Sequence, residues 1–589
     1  MTKKAAKNLS RTDLLFAFSL LLATAFLMWR CKFGLAYDDE AFYLTIPYRL
    51  SRGDAMFLHE WHLSQMSGFL LYPFMLLFRS LTGSTQGVVL AFRRLYILAC
   101  SLTALYSYLR LRKISPLGAC AAALILLLYT PFGLNAPSYN SMGLLLMALA
   151  TVSLATAEKE QRLLHGLCGF FFAAAVLCCP YLALVFLLYA LLVGLRALLP
   201  AGEGSRPDIL SPRRLLYILP GILVMAALFL LFVFSRVSPE KFLEALPLIL
   251  STDPEHDTSV GLGTKLLDYF AAFSRIQPHF LLYLALTAVL LVPGLILKKR
   301  RGAEYGRAFL LPICLLSLAN VAETYFTRHY INFIAFPLQP LILSFMLLDS
   351  PSPQCRRLFK AMWVPGMLYS FCIHLSSNQA EYSICSAAYV ALTGGIVIMG
   401  ACLQSRYLEE KEKGGVRRLQ GSVRPLYALT ALALLAVLLG EAELRYSAVF
   451  KDQSKSQQTA YVDRGPQMGI CANPTDADGY LIIYDLLCSA LEQYRPNSIF
   501  VTAVPFVPSC YLAADADNAS YSAWLHQGTS EELLRSYYAL APEKLPDMIF
   551  FFDSNEAEYI RWLYESEDYT RVDSGSDAQI YLRSSAAEK

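Results

Sequence analysis

Residues 13–43 read DLLFAFSLLLATAFLMWRCKFGLAYDDEAFY: an apolar run opened by one acid, a short basic turn, then three acids in succession. At 1.5 Å of rise per residue, a helix over Asp13 to Trp29 comes close to the thickness of a hydrocarbon core of about 30 Å. Lys3, Lys4, Lys7 and Arg11 precede the run and no small-residue cleavage site follows it, so it reads as a retained first span. Basic residues mark the cytoplasmic side, which sends Tyr37, Asp38, Asp39 and Glu40 to the outer side.

Runs of this kind recur along the chain. Of 589 residues, 56% are hydrophobic and 16% charged, against about 25% charged in soluble domains. Mean hydropathy is +0.43, which excludes a soluble globule. The expected class is mainly α: a polytopic α-helical membrane protein. The net charge of +4 is small, and Lys and Arg sit mostly in short loops on one side, which reports topology and not a nucleic-acid partner. Most of the 14 Cys lie inside apolar runs, where a thiol acts as a small hydrophobe, and there is no CxxC pair or Cys/His zinc spacing.

Runs and basic loops together predict about thirteen spans. Gly87–Leu109 is long enough to cross, so the shorter Met66–Phe78 is expected to be a juxtamembrane or re-entrant helix. Pro116–Phe132, Met142–Ala157, a hairpin within Gly166–Leu198 that turns near Cys179 and Pro180, Leu215–Phe234, His279–Leu297, Phe309–Val321, Ile331–Leu348, Ala361–Ser377, Ser383–Cys402 and Pro425–Gly440 complete the set. The expected division is a membrane domain over 1–441, with a first outer loop at 31–86 and a long one at 235–278, and an exported domain over 442–589. In the latter, β-prone runs at Tyr480–Tyr484, Ser498–Val504 and Met548–Phe552 alternate with helical stretches at Leu486–Tyr494 and Glu531–Leu540, which suggests a small α/β fold. The final 15 or so residues read as a frayed tail.

Charged and imidazole side chains are costly in a bilayer, so their clustering at one face is informative. Seven of the eight His (His59, His62, His256, His279, His329, His374, His526) fall on the outer side of this topology. The first outer loop is the strongest case. Asp38, Asp39 and Glu40 follow a span directly, and Ala41, Phe42, Tyr43 and Ile46 continue as an amphipathic stretch expected to lie on the surface. A carboxylate there can act as a general base towards a hydroxyl or amine, hold a divalent cation against a phosphate, or merely cap a helix as a solvated charge.

The stretch over 35–98 resembles the opening of the C-type (GT-C) membrane glycosyltransferases, notably the protein O-mannosyltransferase and lipid A aminoarabinose transferase group. The order is what matches: a span, an Asp-Glu pair with a Tyr three residues on (Asp39, Glu40, Tyr43), Gly53 and Asp54, a glycine and aromatic-rich helix, a short Gly loop, and Arg93 or Arg94 at the next span. YFTRHYINFIAFPLQP at 325–340 is similar to a late Arg-Tyr and double-Pro segment of those enzymes. The resemblance implies a plasma-membrane enzyme that moves a sugar from a polyprenyl-phosphate donor to a lipid, glycan or protein acceptor outside the bilayer, with inversion. Asp39 matches the catalytic acid, with Asp38 the alternative if the register is off by one. One departure is PSYNSMG at 137–143, where these enzymes often carry a second Asp and this chain has Tyr139 and Asn140.

A phosphate leaving group calls for cations near the first loop. Arg328 with His329 and Tyr330 comes first, then Lys265 and Arg275; each also reads as an interfacial or solvated charge. His59, Glu60 and His62 form an HEWH run that suits hydrogen bonding to sugar or phosphate, or with Asp39 a divalent ion such as Mg or Mn, or plain interfacial polarity. Tyr43, Tyr139 and Asn140 are placed to meet an acceptor. Asp253, Glu255, His256 and Asp257 read as a cation site, an acceptor-binding segment or a solvated loop; Glu323 reads as a partner for Arg328, and Trp61 as a belt anchor. A transporter or flippase and a non-catalytic envelope assembly protein are the competing classes. Transporters place polar residues near the bilayer midplane, where this chain is overwhelmingly apolar.

Overall fold

The computed structural model describes residues 10–158, 160–198, 209–252, 261–376, 379–412, 423–524, 529–552, 558–572 and 578–584. The chain is a polytopic helical protein with a C-terminal α/β domain. The first helix, α1 (Arg11–Arg30), opens with a capping box: Asp13 N–H donates to Ser10 Oγ at 3.1 Å and Ser10 N–H to Asp13 Oδ2 at 2.9 Å. It is followed by α2 (Tyr37–Arg52), α3 (Met66–Thr82) and α4 (Val88–Leu111).

Nine helices among the described residues are long and apolar enough to cross a bilayer, α1 and α4 among them. A tenth is broken, with Ala380–Ala387 and Tyr389–Glu409 meeting at 41°. Three shorter apolar helices, Pro116–Leu128, Arg162–Cys178 and Phe336–Leu348, fall on the remaining expected runs. The additional apolar helix is α3, the one expected to lie beside the membrane.

The helix α2 departs from expectation. Ala41, Phe42, Leu44, Ile46 and Leu50 are each at most 1% exposed, so the segment does not lie on a surface. Its apolar face is covered by α3 and by the helix Val507–Ala513 of the C-terminal domain. Close packing against α3 depends on Gly68, where a Cβ would stand 2.4 Å from Ile46 Cγ2.

The last apolar helix, Val423–Ser447, runs past Glu441, so the C-terminal domain begins after Ser447 rather than at 442. In that domain β1 (Ala460–Tyr461) and β2 (Cys471–Ala472) form an antiparallel pair. The strands β3 (Ser498–Thr502), β4 (Asp517–Asn518), β5 (Met548–Phe552), β6 (Tyr569–Arg571) and β7 (Ala578–Arg583) form a mixed sheet in the order β4-β3-β5-β7-β6. In it β3 runs parallel to β4 and β5, and β7 antiparallel to β5 and β6. Two expectations fail here. Tyr480–Tyr484 lies inside the helix Pro474–Tyr494, whose cap is Asn473 with Pro at its first turn. Residues 578–583 are no frayed tail, because their alternating pattern pairs with β5 along its whole length.

One continuous cluster of buried side chains runs from Phe42, Tyr96 and Ile342 in the bundle to Ile470, Leu487 and Val501 in the C-terminal domain. Backbone bonds join the two parts as well: Gly34 N–H donates to Cys471 C=O at 2.8 Å and Cys471 N–H to Lys32 C=O at 2.7 Å. Trp61 is fully buried beneath this domain, stacked on Tyr521 at 5.5 Å, and so is not a belt anchor.

Candidate active site

Five element ends gather at one end of the bundle: the start of α2, the first turn of the helix Tyr139–Thr156, the turn after Arg328, the start of the helix at Ala380 and the end of the helix Val423–Ser447. Between them lies a cavity of about 630 Å³, whose wall includes Asp39, Tyr139, Asn140, Glu381, Arg445 and Lys451. The segment that carries Lys451 is held by Arg30, which donates from Nε to Tyr446 C=O at 3.1 Å and from Nη2 to Ala448 C=O at 2.5 Å. From there the Lys451 ammonium donates to Asp39 Oδ2 at 2.7 Å. Asp39 sits in the first turn of α2, where the helix dipole favours a carboxylate.

Beside Asp39, Tyr43 and Tyr139 also border the cavity, with ring centroids 5.7 Å apart at 72°. Asn140 is 8% exposed and its Oδ1 is buried without a hydrogen-bond partner. A buried acceptor left unmade is costly, so this atom is suited to a ligand donor. His329 and Tyr330 also line the cavity; His329 adopts a left-handed backbone conformation at φ 39°, and Tyr330 donates to Phe132 C=O at 2.9 Å.

The expected residues therefore separate into those around the cavity and those elsewhere. Asp39, Tyr43, Tyr139, Asn140, His329 and Tyr330 meet at it. The side chain of Asp38 lies outside the described residues, as do 253–257 and His526. Glu40, expected among the catalytic acids, does not line the cavity. It is 1% exposed, and Arg93 occupies both its oxygens, donating from Nε at 2.7 and 2.9 Å and from Nη2 at 2.5 Å. Arg93 Nη1 and Nη2 also reach Cys31 C=O and Gly34 C=O, so this pair fixes the entry of the chain into α2.

Arg328 and Arg275, expected to meet a phosphate, instead share Glu381 at the cavity margin, at 3.3 and 3.0 Å. Glu323 pairs with His279 at 2.6 Å, not with Arg328. Lys265 is buried away from the cavity, and its carbonyl contacts His374 Nε2 at 3.0 Å.

The HEWH run also lies elsewhere, in a latch between the first loop and the C-terminal domain. Arg49 donates to Asp54 at 2.7 Å and to Glu60 at 2.8 Å, Lys544 reaches Asp54, and His59 Nε2 contacts Glu543 at 3.0 Å. Burial pushes His59 below the ordinary histidine value, with Lys544 and Arg49 adding to it against Asp54 and Glu543. For Asp54 burial alone would raise the carboxyl, but Arg49 and Lys544 hold it below the usual range. His62 packs against Phe42, ring centroids 4.6 Å apart. Glu60 and His62 thus do not join Asp39 as a ligand set, and among the described residues no three His, Cys, Asp or Glu side chains gather into a cation site.

No protein-family model matches this sequence, and no curated protein matches it. Among solved structures, that of ArnT from Cupriavidus metallidurans bound to undecaprenyl phosphate aligns over 98% of each chain, at 12% identity and a TM-score of 0.39.

Sequence reasoning passed over Lys451, Arg445, Arg30 and Glu381. One signal for the first two was present: Arg445, Lys451 and Lys455 crowd the end of the last apolar run, on the side where the positive-inside rule expects few cations.

Proposed function

We propose that this protein is a membrane glycosyltransferase that moves a sugar from a polyprenyl-phosphate donor to an acceptor hydroxyl or amine, with Asp39 as general base. What carries the reading is the placement of Asp39: an acid at a helix start, opening on a cavity at the end of an otherwise apolar bundle. The resemblance of 35–98 to C-type transferases points to the same residue. In the reaction Asp39 takes the proton from the acceptor, the acceptor atom bonds to the anomeric carbon, and the carbon–oxygen bond to phosphate breaks. The electron pair leaves with polyprenyl phosphate, and attack from the opposite side inverts the centre. Tyr43, Tyr139 and Asn140 hold the acceptor, and His329 and Tyr330 face the sugar.

The site faces outward in this reading. A membrane-impermeant maleimide is expected to label a cysteine placed at the exposed Asp463 in intact cells; labelling only after permeabilisation contradicts it. For the chemistry, purified protein is incubated with radiolabelled polyprenyl-phosphate sugars and envelope acceptors, with and without chelator. Transfer to at least one acceptor is expected; none from any donor, in either condition, contradicts the reading.

A further inference from the structure

Arg445 is a cation in the cavity wall that Glu441 answers only at a distance, without a direct hydrogen bond or ion pair. It is 5% exposed, its Nε is buried without a partner, and among the described residues its guanidinium makes no hydrogen bond or ion pair. Glu441, one turn earlier on the same helix, is also buried; it faces Tyr389 and acts on Arg445 through its charge, but no ion pair joins the two. A guanidinium withdrawn from water without an anion in contact is unfavourable, and its fork of donors matches phosphate oxygens. Lys451, which also lines the cavity, is placed differently. Its side chain is 59% exposed and that of Asp39 16%, so the ammonium end of the pair is open to water, which lowers the cost of leaving it.

We propose that Arg445 and Lys451 form the subsite for the donor's phosphate, and that Lys451 leaves Asp39 to occupy it, so that donor binding uncovers the base. This rests on the reading of the cavity as a sugar-transfer site. The ammonium hydrogen-bonded to Asp39 competes with an acceptor's O–H or N–H for its oxygen. An acceptor that arrives first meets a masked carboxylate; one that arrives after the donor meets a free one. Binding is therefore ordered, donor first. The donor's phosphodiester carries one negative charge and the released phosphomonoester up to two. Two cations here therefore strengthen their hold as the bond breaks, the condition for accelerating the step rather than only binding the substrate.

The test measures binding of polyprenyl phosphate to the full-length protein in nanodiscs, with the uncharged polyprenol as control. Folding of each variant is checked by thermal melt, and Arg445→Lys serves as the charge-preserving variant. Wild type is expected to prefer the phosphate to the alcohol. Arg445→Gln weakens that binding at least tenfold and Arg445→Lys less; Lys451→Gln weakens it several-fold. Asp39→Asn tightens it at least threefold, because the carboxylate no longer competes for Lys451, and the gain shrinks in the Asp39→Asn/Lys451→Gln double variant. Unchanged affinity in folded Arg445→Gln, no preference for the phosphate in wild type, or no tightening in Asp39→Asn overturns the proposal. Turnover separates the two readings. Sugar transfer with an indifferent Arg445→Gln removes the subsite alone, whereas the expected binding pattern without transfer from any donor removes the transferase reading.

Discussion

Arg93 and Glu40, 53 residues apart in sequence, form a buried two-pronged ion pair that ties the start of α4 to the start of α2, one residue from Asp39. Arg93 is 3% exposed and Glu40 1%, so neither charge has water to fall back on. Removal of one partner from such a pair costs roughly 3–5 kcal/mol. Glu40→Gln and Arg93→Met are each expected to lower the melting temperature markedly, and the double substitution to recover much of the loss. Additive losses in a double-mutant cycle would show that the pair is not a unit.

The latch between the first loop and the C-terminal domain makes stability depend on pH. His59 titrates lower in the folded protein than the ordinary value of about 6.5. Its contribution is whole above that value and is lost as pH falls through the folded one, because protonation then favours the loosened state. Asp54, also held below its ordinary value, adds a second loss further into acid. The melting temperature is expected to fall on acidification from about pH 6.5, and His59→Gln to flatten that upper part of the profile only. A profile unaltered by His59→Gln contradicts the assignment.

β7 is flanked on both sides, by β5 and by β6. Deletion of 578–589 strips β6 of its partner and exposes the edge of β5, whose Met548–Phe551 are fully buried. The shortened protein is expected to be cut rapidly within 448–577 by added protease while the bundle persists. Protection equal to that of the full chain would mean that the strand is dispensable.

Much of this architecture was legible because the bilayer sets a length: apolar runs of about 20 residues admit few readings. Its limits have identifiable causes. YLIIY at 480–484 fits a buried strand or a buried helix equally in periodicity, and only Asn473 and Pro474, several residues upstream, decide for helix. Amphipathicity in α2 signalled that one face would be covered but not by what, and the cover proved to be protein. At the site, the resemblance singled out Asp39, Tyr43, Tyr139 and Asn140, and the need for polar groups at a span end pointed to His329 and Tyr330; all six border the cavity. Glu40 could not be set apart from Asp39 without knowing which of the two neighbouring acids Arg93 reaches. Lys451 comes to Asp39 from 412 residues away, a proximity set by Arg30 at the end of α1, which holds the carbonyls of Tyr446 and Ala448.

The most direct test of the account is the kcat of sugar transfer from a polyprenyl-phosphate donor, measured for wild type and Asp39→Asn after confirming equal melting temperatures. Loss of a positioned base is worth about 10²–10⁴ in rate, so a fall of at least a hundredfold is predicted, with the donor still bound. A folded Asp39→Asn protein that turns over within a few-fold of wild type would contradict it.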